Sequence, residues 1–352
     1  MARAIEDIVN EVDNATVKGL EKVDVEDVYQ QMDHLLQARP SPMDLYNRWE
    51  KQQWAVADLD FSQDKVHWEN LKNFPGIGEQ LQQTWTLFFI GEQAVTDTLG
   101  PILHAAPTEE DRIFLSTQVV DEARHTVFFM RFFDEVLGIS GGLHGALEAV
   151  RPDAVAGFQK IFETHLADAV DQVRRNPSDY ATWLQGITIY HFVVEGMLAL
   201  TGQKFILRTL RQFGIMPGFY SGFTAVTRDE SRHVNYGVGA LRDGIAQGFA
   251  APVEEMIEKV LEPACWTILA PDREVPIDDP SMIPENLRVN PADIVDFSLQ
   301  SLTKRLRVAG LSPAFCDKVM SDGKRYYEVA IAEYEDRFSK EHPIRWYEQQ
   351  AS

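Results

Sequence analysis

The chain has 352 residues, 45% of them apolar, and a formal net charge of -21. That length fits one large domain or two small ones around a substantial core. The acidic balance excludes nucleic acid as a partner, because phosphate binding needs concentrated Lys and Arg, and it disfavours anionic membrane surfaces.

The N-terminus, Met1-Ala2-Arg3-Ala4-Ile5-Glu6-Asp7, lacks the apolar core of a signal peptide. Residues 1–50 read as an N-terminal arm with an accessory helix over about 25–36, closed by Pro40-Ser41-Pro42. An irregular segment follows through 54–61, then a short helix near 64–71. Asp64 and His67 have an acid-x-x-His spacing but sit in a polar, tryptophan-flanked stretch with no partner glutamate, so a surface pair is expected.

Gly76 and Gly78 punctuate the entry to a long helix over about 79–104. Its run Trp85-Thr86-Leu87-Phe88-Phe89-Ile90 is apolar nearly all round, the mark of a helix buried in a large core. Glu92 follows directly, where a charge is costly without a partner. Thr108-Glu109-Glu110-Asp111 reads as an N-cap with an acidic first turn. The helix it opens runs to about 137 and carries Glu122 and His125.

After a glycine-rich break over 138–145 come helices near 152–174 and 180–213. In the second, Glu195 interrupts an apolar run. The next helix, about 222–248, carries Glu230 and His233. Helices over about 252–269, 292–309 and 313–337 follow, the first two separated by a segment rich in proline and aspartate; a short polar tail ends the chain. No strand alternation stands out, and the expected fold class is all-α. Cys265 and Cys316 are too few for a secreted disulfide framework and match no metal-thiolate spacing, so buried free thiols are expected. No stretch reaches the ~18 uninterrupted apolar residues of a membrane span. A soluble, cytoplasmic protein is expected.

The chemistry lies in a repeat. Asp121-Glu122-Ala123-Arg124-His125 recurs as Asp229-Glu230-Ser231-Arg232-His233. On a helix, residues i and i+3 share a face, so each Glu-x-x-His points a carboxylate and an imidazole at one spot. Each copy has a glutamate on an apolar helix upstream, Glu92 before the first and Glu195 before the second. Glu, Glu-x-x-His, Glu, Glu-x-x-His is the ligand set of a four-helix bundle holding two metal ions. One histidine per metal and two carboxylates free to bridge suit manganese and iron, and two neighbouring redox metals suit dioxygen reduction. Asp229 either fixes the tautomer of a ligand histidine or is a solvated aspartate, and Asp121 occupies the matching place in the first copy. Arg124 and Arg232 either pair with carboxylates near the site or lie on an exposed helix face.

With these motifs in place, the chain resembles the ribonucleotide reductase small subunit superfamily, part of the ferritin-like fold. Within it, the nearest likeness is to the ligand-binding oxidases with a mixed manganese–iron site. The likeness rests on Trp54 through Phe61 with Trp68-Glu69, on Gly91-Glu92-Gln93-Ala94-Val95-Thr96, and on Tyr190-His191-Phe192-Val193-Val194-Glu195-Gly196 with Leu198-Ala199-Leu200-Thr201-Gly202. It implies a ferritin-like dimetal oxidase domain over 51–310, leaving 311–352 as a C-terminal helix and tail. It also implies the metal ligands Glu92, Glu122, His125, Glu195, Glu230 and His233, and manganese and iron as cofactor, with di-iron as the other occupancy. A self-formed ether crosslink between Tyr190 and Val95, dioxygen as co-substrate, and a long-chain fatty acid or similar apolar ligand follow from the same likeness. Val95 is almost one turn from Glu92 and Tyr190 about one and a half turns from Glu195, so both can border the metals.

Two departures stand out. Phe129 occupies the place of the radical tyrosine of the commonest reductase small subunits, and Gln93 stands where a second acid is expected. Three functions therefore compete: an oxygen-activating oxidase, a manganese–iron reductase small subunit, and a non-catalytic ferritin-like metal-binding bundle. Apolar helix faces on a bundle of this size also imply a symmetric homodimer.

Overall fold

The computed structural model describes residues 3–351, apart from residues 75, 151–153, 276, 278, 284, 286 and 287. It is all-α, with no strand among the described residues. Four long helices form the bundle expected from the repeat: Ile77–His104, Glu109–Phe132, Tyr180–Phe213 and Pro217–Ala246. They are called the first to fourth bundle helices below.

Local chemistry sets their ends. Thr108 and Asp111 close a capping box at the start of the second bundle helix, each side chain accepting from the other's backbone N–H. The third ends at Gly214, in the left-handed conformation at φ 61°, and Ile215 N–H returns to the Leu210 carbonyl. Pro217 then occupies the first turn of the fourth, where its missing N–H costs nothing.

That N-terminus overturns one expectation. Asp64, on the short helix Ser62–Leu71, is fully buried and accepts from the backbone N–H of Gly218 at 2.9 Å and Phe219 at 2.7 Å. His67 Nδ1 accepts from Met216 N–H at 3.0 Å. The pair is an internal cap on the fourth bundle helix, not a surface pair. Helical spacing alone could not show it, because the capped helix lies far along the chain.

The third bundle helix is π-helical over Thr188–Ala199. By length and composition it is apolar enough to cross a membrane, yet 83% of its most apolar window is buried inside the protein. Its i→i+5 register brings residues five apart to nearly the same face, which puts Tyr190 and Glu195 on one side of the helix. Aromatic rings fill the neighbouring core. Trp85 and Phe89 of the first helix meet Phe132 and Phe133 at 4.9 Å in each case, and Phe88 meets Phe223 at 4.9 Å. Phe129 is fully buried in this cluster, stacked on Phe88.

The flanking elements wrap the bundle. Helices Ile5–Asn14 and Val25–Ala38 form the N-terminal arm, and Pro42–Lys51 leads into the core. Helices Ala250–Leu269, Pro291–Ala309 and Pro313–Phe338 close the other side. The expected polar tail is instead a helix, Pro343–Ala351. It is docked by buried Ile344, by His342 edge-on to Tyr334 at 4.9 Å, and by Arg345 paired with Glu328 and Glu335. Cys265 and Cys316 are buried free thiols.

Candidate metal centre

Glu92 comes from the first bundle helix, Glu122 and His125 from the second, Glu195 from the third, and Glu230 and His233 from the fourth. All six are buried. Their ligand atoms fall into two sets, Glu92, Glu122, His125 and Glu230, and Glu122, Glu195, Glu230 and His233, each with atoms within 4.8 Å of one another. Glu122 and Glu230 belong to both sets. That sharing would leave Glu122 and Glu230 available to both of two ions, with one histidine and one further glutamate for each.

Both imidazoles turn Nδ1 inward. His125 Nδ1 lies 3.3 Å from Glu92, 3.4 Å from Glu122 and 3.8 Å from Glu230. His233 Nδ1 lies 3.3 Å from Glu122 and 3.4 Å from both Glu195 and Glu230. The outer nitrogens reach aspartates, and the pairing is crossed. His125 of the first motif meets Asp229 of the second at 3.2 Å, while His233 of the second meets Asp121 of the first at 3.1 Å. A carboxylate only accepts, so each Nε2 carries a proton and the neutral ring presents its Nδ1 lone pair inward. Metal ligation needs that tautomer.

The aspartates are held in turn. Arg232 Nη2 donates to Asp121 at 2.8 Å and to Asp229 at 2.6 Å. Arg124 donates to Asp121 at 2.9 Å and lies 3.6 Å from Asp229. Indole N–H groups complete the shell, Trp49 to Asp121 at 2.9 Å and Trp54 to Asp229 at 2.8 Å. Both arginines therefore pair with the carboxylates beside the site. Burial works against the Asp229 charge, but Arg232 and its neighbours hold the carboxyl well below its usual range.

Without a metal the site is electrostatically uncomfortable. Burial pushes the Glu92 carboxyl up to about 8. Burial and the Glu230 charge raise Glu195; burial and Glu122 raise Glu230. Burial also opposes a charge on Glu122, but the two histidines beside it hold its carboxyl low. Burial disfavours protonated His125 and His233 too, yet the surrounding carboxylates raise both well above the ordinary imidazole value. Glu122 Oε2, Glu195 Oε2, Glu230 Oε2 and His233 Nδ1 are buried with no hydrogen-bond partner. Buried oxygen and imidazole donors that converge, and whose protons a cation would displace, fit a pair of divalent ions of manganese or iron type.

Three neighbours escaped the sequence reading. Gln118 Nε2 donates to Glu195 at 2.8 Å, and its Oε1 lies 3.1 Å from His191 Nε2. Burial lowers the His191 pKa to about 3, so that ring is neutral and donates from Nε2 to the amide oxygen. Gln118 stands four residues before Glu122, the same helix face, and that spacing was the available signal. Trp49 carried no signal, since its partner is distant in sequence. Tyr190, fully buried, donates its hydroxyl to Glu122 Oε1 at 3.0 Å; burial and the Glu122 charge keep the phenol protonated. Val95 is buried one turn beyond Glu92.

Residues 38–266 match the family described as ribonucleotide reductase, small chain. The chain belongs to that family. Among solved structures, the R2-like ligand-binding oxidase from Sulfolobus acidocaldarius is similar at 25% identity and a TM-score of 0.63, over 78% of this chain and 92% of that one. A tyrosine-to-phenylalanine mutant of an R2-like ligand-binding oxidase, with anaerobically reconstituted Mn/Fe cofactor, shares the fold at 19% identity and a TM-score of 0.58, over 81% of this chain and 92% of that one. A glycine-to-phenylalanine mutant with the same cofactor does so at 20% identity, a TM-score of 0.58 and the same coverage. The small-chain family thus accounts for the bundle. The oxidase neighbours extend the likeness beyond the family match.

Proposed function

We propose that this chain is a dioxygen-activating dimetal-carboxylate oxidase that carries manganese and iron. The observation behind the reading is the pair of four-residue ligand sets sharing Glu122 and Glu230 inside an apolar bundle. When bound, the ions supply the electrons that reduce dioxygen. Glu92 and His125 would hold one ion, at the first position, and Glu195 and His233 the other, at the second, with Glu122 and Glu230 available to both. Asp229 and Asp121 keep the imidazoles in the ligating tautomer, and Gln118 restrains Glu195. The Mn/Fe cofactors of the oxidase neighbours support manganese and iron in these positions.

Tyr190 and Val95 are the proposed sites of self-oxidation. The Tyr190 O–H and one Val95 C–H bond break, a C–O bond forms, and two electrons and two protons pass to dioxygen. The buried phenol hydrogen-bonded to Glu122 supports the Tyr190 half of the reading. A long-chain fatty acid or similar apolar molecule is the proposed ligand, and a symmetric homodimer the proposed assembly, checked by gel filtration. A small-subunit role in nucleotide reduction is the second reading, favoured by the family match itself.

The test is aerobic loading with manganese and iron, followed by anomalous diffraction at both absorption edges and peptide mapping. The oxidase reading expects two ions and a Tyr190–Val95 peptide lighter by two hydrogens. Two ions with free, separate peptides would remove the crosslink; support of nucleotide reduction by a large subunit would favour the second reading.

A further inference from the structure

The aspartates that hold the histidines are tied to a part of the chain outside the family match. Arg232 also donates from Nη1 to Gln52 Oε1, and Gln52 Nε2 donates to Asp13 Oδ1 at 2.9 Å. Asp13 belongs to the first helix of the N-terminal arm, Ile5–Asn14, whereas the family match begins at residue 38. We propose that the arm completes the metal centre, with Asp13 as a positioning residue for both ligand histidines. This inference rests on the dimetal reading of the site.

The donor and acceptor senses along the path leave no freedom. A guanidinium only donates and a carboxylate only accepts, so the Gln52 amide between them has one possible orientation. Asp13 takes a second bond from Gln31 Nε2 at 2.9 Å, and Gln31 Oε1 accepts from Ser231 Oγ at 3.0 Å, inside the second motif. Arg48 pairs with the other Asp13 oxygen. Arg228, 1% exposed and one residue before Asp229, donates to the carbonyls of Val12, Ala15 and Gln52. The fourth bundle helix therefore grips the arm by Arg228 through backbone and by Ser231 and Arg232 through side chains. A mere cover would need apolar contact, which fully buried Val12 and Leu20 already supply. A directed run from Asp13 through Gln52 and Arg232 to Asp121 and Asp229, ending on the imidazoles, is a support for ligands.

Replacing a direct partner of a ligand histidine weakens metal binding by about tenfold to a hundredfold. Asp13 acts three hydrogen bonds further out, so Asp13→Asn should weaken Mn(II) binding by about threefold to tenfold, below that scale. The asparagine side chain fits the same space but is uncharged and presents one acceptor in place of two, so it gives up either the Arg48 pair or the Gln52 bond. The experiment is Mn(II) titration of the full chain followed by electron paramagnetic resonance, with thermal melts of the metal-free protein alongside. Gln52→Met breaks the run while Asp13 keeps Gln31 and Arg48, so it tests the path if Asp13→Asn folds poorly. Asp24→Ala loosens the arm elsewhere, by removing the cap on Glu26 N–H, and controls for stability alone. The expected result is weakened Mn(II) binding and an altered spectrum in Asp13→Asn and Gln52→Met, with wild-type binding in Asp24→Ala. Wild-type affinity and spectrum in both path variants would overturn the inference and leave the dimetal reading intact. A wild-type protein that takes up no Mn(II) would overturn both.

Discussion

The crossed aspartates give the sharpest test of the site. Asp229→Asn removes a carboxylate that accepts from His125, Trp54 and Arg232. The new amide can present its N–H₂ to His125 Nε2, which moves the imidazole proton to Nδ1, the atom facing the ligand carboxylates. Loss of such a partner weakens metal binding by about tenfold to a hundredfold, or about 1.4–2.8 kcal/mol at about 1.4 kcal/mol per tenfold. Breaking a buried ion pair costs ~3–5 kcal/mol of stability; Arg232 keeps Asp121, so the lower end applies. The substitution lies in the second motif, but the weakened position should be the first, because Asp229 supports His125. Asp121→Asn should do the reverse and weaken the His233 position. The assay is limiting Mn(II) in crystals of each variant, with occupancy at each position read from anomalous difference density. Greater loss at the His233 position in Asp229→Asn, or equal loss at both, would refute the crossed geometry.

Glu195→Ala should fold, since Glu230 and His233 remain, but bind less metal at the second position and form no Tyr190–Val95 link. Normal loading with a crosslink in that variant would make Glu195 a bystander. Metal uptake should strengthen as pH rises from about 6 to 8, because Glu92, pushed up to about 8, and both raised histidines must give up protons; proton release in weak buffer reads it. For the stability of the metal-free protein the Glu92 effect runs the other way with pH. Its folded value lies above the ordinary 4.5, so its contribution to stability is present below that pH and is lost as pH rises towards 8. Melts across that window check it, and metal should flatten the slope. Asp64→Ala should cost about 1–2 kcal/mol through loss of the fourth-helix cap while leaving two-metal binding unchanged; diminished binding would give Asp64 a role at the site.

Local pattern made most of the frame legible. Apolar periodicity and breakers located the bundle helices, and the fourth was missed only at its start, at Pro217 rather than near 222. That error and the misreading of Asp64 share a cause. A cap supplied by a side chain from another helix leaves no mark beside the helix it caps. The docked C-terminal helix has the same origin, because short polar segments become helical when tertiary contacts such as those of Ile344 and Arg345 hold them.

The six candidate ligands were readable because each Glu-x-x-His is a local spacing and the upstream glutamates interrupt apolar runs. Their convergence was implied by the pattern; which carboxylates are shared by both sets was not. The π-helical turn that lets Tyr190 and Glu195 face one side belongs to the packed bundle, since straight α-helical spacing would set them apart. The crossing of the aspartates depends on how the second and fourth bundle helices lie against each other. So does the path from Asp13, which joins residues more than two hundred positions apart. Sequence carries the chemistry of short-range periodicity. Partners brought together by folding exist only once the helices pack, and at this centre those partners decide which imidazole nitrogen faces the glutamate cluster.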